Sequence, residues 1–293
     1  MDAVAVIAAG ADLSLAAPLP DALPPGAPVT VLVHGYRYAP GRAGHDPHAT
    51  LFAAGAWPRR LGFRAAAQGL CLGFGWQANG SLRQAHAEAG RAAVALAALV
   101  RRLRERGAGP VGFLAHSLGS RVVLSALPLL EAGDAGRIVL LSGAEFCGPA
   151  TAALTTQAGR AAEVLNVTSR ENDPFDWAVE WLVGRGADDR GPALGAGLSL
   201  PNAVTLQIDG AGHREGLRRL GYPVAGPARL VCHWSTYTRP GLFPLYRAFL
   251  HRPAQLPLGL LRAALPEACA PRWSRLVPRL PMLPGGGAAR GAG

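Results

Sequence analysis

Residues 111–127, which read VGFLAHSLGSRVVLSAL, change their hydrophobic period in the middle. Residues 111–115 are an uninterrupted apolar run with the length of a buried strand, whereas residues 122–127 continue as one face of a helix. A strand that turns this sharply into a helix strains the central residue of the turn, and it needs small residues two positions before and after that residue. Ala115 and Gly119 occupy these positions. The pattern therefore predicts a tight elbow with Ser117 at its apex.

Two roles are compatible with a serine in this place. Ser117 could cap the helix, as serine often does. Alternatively, the elbow lifts the Ser117 hydroxyl above the sheet and places it at a helix N-terminus, where backbone N–H groups and the helix dipole favour a developing negative charge. The second arrangement suits a nucleophile in acyl transfer, whereas in the first His116 is simply a partly buried neighbour.

Apolar runs typical of strands alternate with segments of helical period along more than 200 residues. Strands are predicted at residues 4–8, 29–33, 70–74, 111–115, 137–141, 164–168 and 204–208, with the clearest helix at 84–106 and others after Ser117, at 151–159 and at 241–250. This alternation predicts an α/β fold with a mostly parallel, doubly wound sheet. Functional groups in such sheets collect at the carboxyl ends of the strands.

The length of 293 residues suits one large domain. We predict an α/β domain at residues 1–251, with a surface loop at 184–198, and a Pro-, Arg- and Gly-rich C-terminal tail at 252–293 that is partly docked and partly disordered. The chain has no apolar stretch long enough to span a membrane, and its first residues lack the basic stretch of a secretory signal. We therefore expect a cytoplasmic protein.

The net charge of +10 comes from arginine alone, because the chain contains no lysine. The arginines are spread along the sequence, which favours a solvated basic exterior over a nucleic-acid interface. Four cysteines without paired spacing indicate reduced thiols rather than a zinc site or a disulfide framework. No metal and no organic cofactor is expected.

An acyl-transfer site also needs N–H groups directed at the oxyanion. The amide of Leu118, directly after Ser117, is one candidate. The other is the amide of Tyr36, because the apolar run at 29–33 ends in His34-Gly35, where the backbone can turn into the site. We expect the His34 side chain to be a hydrogen-bonded structural histidine.

Three motifs resemble those of the α/β-hydrolase superfamily. They are most similar to a bacterial α/β-hydrolase family of unknown function with an Ala-His-Ser-Met-Gly-type nucleophile elbow. The motifs are His34-Gly35-Tyr36, Phe74-Gly75-Trp76 and Ala115-His116-Ser117-Leu118-Gly119, and the resemblance covers roughly residues 29–250. It implies an α/β-hydrolase fold, and the short connection after Leu141 predicts that there is no large cap domain. It also implies the chain order serine, acid, histidine for a catalytic triad.

The acid should follow the second strand after the elbow. The segment after residues 164–168 reads Ser-Arg-Glu-Asn-Asp and is similar to a Ser-x-Asn-Asp pattern in the family, which makes Asp173 the predicted acid. Asp176 is the alternative, and Glu171 is a weaker one.

Two histidines compete for the role of the base. His213 follows the last clear strand and matches the Gly-x-Gly-His ending of many α/β-hydrolases. His233 precedes the terminal helix and lies in a segment similar to a His-Ser-Tyr-type segment of the narrower family. That family also has an Ile-Asp pair after its last strand, which Ile208-Asp209 match. We favour His233 and keep His213 as the alternative.

The predicted function is that of a serine hydrolase, most simply a carboxylesterase with a Ser117-His233-Asp173 triad and an acyl-enzyme intermediate. Aromatic residues near the strand ends could line an apolar pocket for a small-molecule ester, and those we select are Tyr38, Trp76, Phe146 and Trp177. The alternatives are a non-catalytic binding or scaffold protein of the same fold, or a lipase or acyltransferase with weak peripheral membrane contact through the basic tail. The sequence leaves the oligomeric state open.

Overall fold

The computed structural model describes residues 4–9, 12–15, 28–53, 55–63, 69–184 and 190–276, together with residues 19, 21 and 23. In this part of the chain eight strands form one sheet in the order β2-β1-β4-β3-β5-β6-β7-β8. The strands are β1 (Val4–Ala9), β2 (Asp12–Leu15), β3 (Val29–Val33), β4 (Leu70–Gly75), β5 (Val111–His116), β6 (Ala135–Leu141), β7 (Glu163–Thr168) and β8 (Ala203–Gln207).

Strands β3 to β8 are all parallel to one another, and β1 joins β4 in the same direction. Only β2, at the edge, is antiparallel to its neighbour. The predicted α/β class with a mostly parallel sheet is therefore confirmed. The order of the strands reverses between β3 and β5, and such a reversal opens a crevice at the carboxyl ends of the two strands.

The helices cover both faces of the sheet. They are α1 (Trp57–Leu61), α2 (Leu82–Glu105), α3 (Leu118–Ala126), α4 (Cys147–Leu154), α5 (Gln157–Ala161), α6 (Asp173–Val183), α7 (Ala211–Arg219), α8 (Ser235–Thr238), α9 (Leu242–His251) and α10 (Leu258–Ala264). Between β6 and β7 the chain carries only the short helices α4 and α5, in keeping with the predicted lack of a large cap there.

Alternation along β3 explains why the sheet has two cores. Val31 and Val33 belong to the core on one face, with buried residues of α2 and α3, whereas Leu32 belongs to the core on the other face, with buried residues of α9. Every residue of β3 and of β5 is buried, as expected for central strands covered by helices on both sides. The two strands that flank the crevice are thus held rigidly from both faces.

Helix α2 begins two residues before the predicted start. Ser81 accepts a hydrogen bond from the Gln84 backbone N–H, and the Gln84 side chain accepts one from the Ser81 N–H, which forms a capping box. The apolar run at 230–232 is not a strand but part of the long connection between α7 and α8. Within the described residues, no helix has both the length and the apolar character needed to cross a membrane.

The first part of the predicted tail belongs to the fold. Leu256, Leu258, Leu261 and Leu265 are buried in the same core as α9. Beyond α10 the chain runs across the carboxyl ends of β7 and β8, where Ala270 N–H donates to Gln207 at 2.6 Å. Residues 252–276 therefore pack on the domain, and the predicted division at residue 252 stays a prediction. Residues 277–293 lie outside the described part of the chain, as do residues 185–189 of the predicted surface loop.

Candidate active site

The predicted elbow is present, and Ser117 is strained at its apex. Ser117 has φ 55° and ψ −126°, a combination that costs about 1–3 kcal/mol in a residue other than glycine. Although Ser117 is the N-cap residue of α3, its side chain makes no capping hydrogen bond. The hydroxyl is thus not used to cap the helix, which removes the structural reason for a serine in this position.

The elbow depends on a close approach between α3 and the end of β3. A Cβ atom on Gly119 would lie 2.6 Å from the carbonyl oxygens of both Val33 and His34. A Cβ atom on Gly35 would lie 2.5 Å from Cβ of Ser117. The two glycines therefore bring the His34-Gly35 turn directly against the serine, at the reversal of the strand order.

His34 holds this turn in place. The Trp76 backbone N–H donates to His34 Nε2 at 3.0 Å, so the ring proton is on Nδ1, which donates to the Gly35 carbonyl at 2.9 Å. Burial lowers the pKa of His34 to about 3, so the ring is neutral. The expected structural role of His34 is confirmed. Because C=O and N–H point in opposite directions across a trans peptide, the Tyr36 N–H is directed away from His34.

The amides of Tyr36 and Leu118 are therefore both next to Ser117. Leu118 is the first residue of α3, where the backbone N–H has no carbonyl one turn earlier in the helix to pair with. Among the residues that the structure describes, neither amide donates to another backbone carbonyl. Within the described part of the chain, both predicted oxyanion donors thus lack a backbone acceptor, at the reversal of the strand order. The Tyr36 hydroxyl itself is engaged elsewhere, with the Gly80 carbonyl at 2.7 Å.

His233 lies beside the elbow. Its ring centroid is 4.6 Å from that of His116, and the His116 Nε2–H donates to the His233 carbonyl at 3.3 Å. Phe175 stacks on the other side of the His233 ring at 4.7 Å. Burial, followed by the neighbouring His116, lowers the pKa of His233 well below 6.5. His233 is thus neutral at pH 7, which is the form that a general base requires.

The partner of His233 differs from the prediction. His233 Nδ1 lies 2.6 Å from Oδ1 of Asn172, the residue before the predicted acid. Asp173 instead accepts the Trp273 backbone N–H at 2.6 Å and pairs with Arg170 at 3.2 Å. The short helical turn after β7 ends at Asn172 and α6 begins at Asp173, so the two side chains leave the backbone in different directions.

The two alternative acids also do not contact His233. Asp176 accepts a hydrogen bond from Asn172 Nδ2 at 2.9 Å, so Asn172 lies between Asp176 and His233. Glu171 is buried in an ion pair with Arg239, and its carbonyl accepts the Cys232 N–H at 2.9 Å, which ties the loop before His233 to the end of β7. Asn172 stands in the Ser-x-Asn-Asp pattern, but the sequence analysis gave it no role.

His213 is not part of this site. It lies in the first turn of α7, where Nδ1 accepts the Gln207 backbone N–H at 3.3 Å. Burial lowers its pKa. Of the two histidines, His233 is the one whose ring contacts the elbow, through His116.

The predicted substrate-contacting aromatics divide into two groups. Trp76 is fully buried and stacks on His34 at 5.5 Å, and Phe146 is buried beneath α2, so both belong to the core rather than to a surface a ligand could reach. Tyr38 is partly buried, 5.8 Å from the His34 ring, and Trp177 is 51% exposed on α6. Two aromatic residues beside His233 that the sequence analysis did not select are Phe175 and Trp234, the latter 47% exposed.

Because several histidines are buried in their neutral form, we predict that the free energy of unfolding falls in acid. Burial lowers the pKa of His34 to about 3 and that of His116 to about 4, so between these values and pH 6.5 only the unfolded chain takes up the protons. Each histidine then costs about 1.4 kcal/mol at pH 5.5 relative to pH 7.5. His251, with a pKa of about 4, and His233 act in the same direction. Asp176, whose pKa burial raises to about 7, opposes them by about 2 kcal/mol.

We expect the free energy of unfolding, measured with urea, to fall by about 3 kcal/mol from pH 7.5 to pH 5.5. A free energy that is constant or rises over this range would contradict the burial of neutral histidines.

Comparison with known proteins adds no assignment to this geometry. The described residues contain no group of three or more His, Cys, Asp or Glu side chains arranged to hold a metal ion. No protein-family model matches the chain, and no curated protein sequence does so either.

Proposed function

We propose that the protein is a serine hydrolase of the α/β-hydrolase fold that acts on carboxylic esters. The observation that carries this proposal is the strained elbow residue Ser117, whose hydroxyl does not cap its helix. The neutral His233 packs on His116 of the same elbow, and the amides of Tyr36 and Leu118 donate to no backbone carbonyl among the described residues. Strain of this kind is retained where the surrounding structure imposes it, and it is concentrated at functional sites. The chain order of serine, hydrogen-bonding partner and histidine also agrees with that fold.

The reaction would begin with transfer of the Ser117 proton to His233 Nε2 as the oxygen attacks the ester carbonyl. The amides of Tyr36 and Leu118 would stabilise the oxyanion of the tetrahedral intermediate. The proton on Nε2 then passes to the departing alcohol, which leaves an acyl-enzyme. Water, deprotonated by the same nitrogen, releases the acid and regenerates Ser117. The nucleophile, the base and the oxyanion donors are all groups of the chain itself.

An apolar ester is the substrate class that the surroundings favour. Phe175 stacks on His233, and Trp234 is the residue directly after His233 in the chain. Leu230 and Val231, in the same loop, are 61% and 43% exposed. A loop that exposes large apolar side chains beside a base can bury the acyl or alcohol part of an ester. The cytoplasmic location stays a prediction from the sequence.

A fluorophosphonate probe tests the proposal directly, because it forms a covalent bond only with an activated serine. We expect a single adduct by intact mass, located on Ser117 by peptide mapping, and none in Ser117→Ala. Ser120→Ala is the matched control, since Ser120 is a buried serine on the same helix whose hydroxyl lies 3.4 Å from the Ala115 carbonyl, and it should label like the wild type.

Two outcomes would overturn the assignment. A wild-type protein that is folded and yet unlabelled would favour the binding or scaffold alternative. Labelling that persists in Ser117→Ala would place the nucleophile elsewhere. Release of p-nitrophenol from short-chain p-nitrophenyl esters provides the accompanying activity measurement.

A further inference from the structure

The amide of Asn172 forms the middle of a chain of hydrogen bonds that ends at a carboxylate. Asn172 Oδ1 faces His233 Nδ1 at 2.6 Å, and Asn172 Nδ2 donates to Asp176 Oδ1 at 2.9 Å. Asn172 and Asp176 are 1% and 2% exposed, so water does not compete for these bonds. The two residues are four apart, at the start of α6, which places them on the same side of the helix.

We propose that Asp176 is a positioning residue that fixes the tautomer of His233 through the amide of Asn172. The inference rests on the proposed function, in which His233 is the base. It assigns a role to a residue that does not touch the histidine, and it explains how a neutral asparagine can stand where a carboxylate was expected.

The argument starts from the two ends of the asparagine amide. Its oxygen accepts hydrogen bonds and its NH₂ group donates them, and the two ends have nearly the same size. An ionised carboxylate can only accept, so Asp176 requires the NH₂ end. The reversed amide would place two acceptor oxygens against each other. Asp176 therefore selects the orientation in which Oδ1 faces His233.

An amide oxygen that faces Nδ1 requires a proton on that nitrogen. The neutral ring has one N–H, so Nε2 is left with its lone pair, the form that can accept the proton of Ser117. With the reversed amide, the NH₂ group would face Nδ1 and favour the tautomer that carries its proton on Nε2. That tautomer cannot serve as the base.

Neighbouring charged groups affect the ionisation of Asp176. The charges of Arg272 and Arg170 lower the pKa of Asp176, and the like charge of Asp173 raises it. Asp176 Oδ2 has no hydrogen-bond partner among the described residues, so the bond to Asn172 is the direct contact that orients the carboxylate. Because burial raises the pKa of Asp176 to about 7, the test is made at pH 8.5, where the carboxylate is ionised.

The test uses Asp176→Asn, which keeps the size of the side chain but can either donate to or accept from Asn172. In protein labelled with ¹⁵N-histidine, the nitrogen shifts of His233, assigned by their loss in His233→Gln, report the tautomer. We expect Nδ1–H in the wild type and a mixture with Nε2–H in Asp176→Asn. The kcat of ester hydrolysis should fall about 10- to 100-fold with little change in KM, less than the roughly 10⁴-fold cost of a wholly wrong tautomer.

Glu180→Gln is the matched control. Glu180 lies one turn further along α6 than Asp176 and pairs with Arg272 at 2.7 Å. Glu180→Gln therefore removes one negative charge near Arg272, as Asp176→Asn does. Among the described residues Glu180 makes no hydrogen bond to Asn172. We expect the wild-type tautomer in this variant. The exchange variant, Asn172→Asp combined with Asp176→Asn, places a carboxylate directly against His233 and should recover the Nδ1–H tautomer and most of the lost kcat. It also keeps the total charge and composition, so it remains informative if Asp176→Asn folds poorly.

The proposal is overturned if His233 keeps its proton on Nδ1 and kcat stays within about threefold in folded Asp176→Asn. It is also overturned if Glu180→Gln shifts the tautomer equally, because the effect would then be a general loss of charge. The tautomer measurement needs no turnover. A failure of Ser117 to react with the fluorophosphonate would therefore refute the proposed function and leave this measurement to decide the role of Asp176.

Discussion

Replacing His233 with glutamine is expected to lower the kcat of ester hydrolysis by about 10⁴-fold or more, because the variant has no base to accept the Ser117 proton. The matched change is His213→Gln, which replaces the other histidine that the sequence allowed. Among the described residues the hydrogen bond of His213 is with the Gln207 backbone at the end of β8, so kcat per folded molecule should stay within about threefold of the wild type.

The measurement is the steady-state hydrolysis of a p-nitrophenyl ester at pH 8.5, with the folded fraction of each variant determined by circular dichroism. Loss of activity in His213→Gln, together with retained activity in His233→Gln, would reverse the assignment of the base. Equal loss in both would mean that the effect is on folding, which the folded fraction would reveal. The comparison therefore separates chemistry from stability.

Replacing Gly119 with alanine is expected to damage both stability and activity. The new methyl group would lie 2.6 Å from two backbone carbonyl oxygens at the end of β3, and a central strand cannot move as a side chain can. Overpacking of this kind costs about 3 kcal/mol. The elbow must also shift away from the His34-Gly35 turn, and a displacement of about 1 Å at a reacting group lowers kcat about 100-fold.

Gly259→Ala is the control for this prediction. Gly259 lies in α10, and a Cβ atom there would have nothing within 4 Å. Alanine in a helix is favoured over glycine, so the free energy of unfolding should rise by no more than about 1 kcal/mol. Urea unfolding and ester hydrolysis of the two variants give the comparison. A Gly119→Ala protein as stable and as active as Gly259→Ala would contradict the close contact between α3 and β3.

The elbow illustrates what can be predicted from local sequence. The change of period at residues 111–127 placed a buried strand, a strained serine and a helix in the correct order, because each depends on residues a few positions apart. The seven predicted strands are all present, and they were predicted within one or two residues of their observed bounds. The His34-Gly35 turn was also predicted as a part of the site, although the close packing of Gly35 on Ser117 becomes visible only in three dimensions.

The segment after β7, from which the predicted acid was chosen, illustrates what could not be predicted. Asn172, Asp173 and Asp176 lie within five positions, and a short helical turn that runs directly into α6 decides which of them faces the histidine. Carboxylates are the usual partners of a catalytic histidine, so a pattern-based prediction selects Asp173. Trp76 and Phe146 were selected for a related reason, since an aromatic residue after a strand can point either into the core or into a pocket.

The sequence by itself determined the parallel α/β architecture and the elbow at Ser117, and it limited the proposed base to two candidate histidines. These properties depend on hydrophobic period and on small residues at tight turns, which act over short distances along the chain. Only the tertiary structure decided that His233 bonds to Asn172 across 61 residues, and that Asp173 is engaged with Trp273 across 100 residues. These contacts depend on how the long connection after α7 and the C-terminal segment pack over β7, where burial excludes water and each polar group must find its partner within the protein.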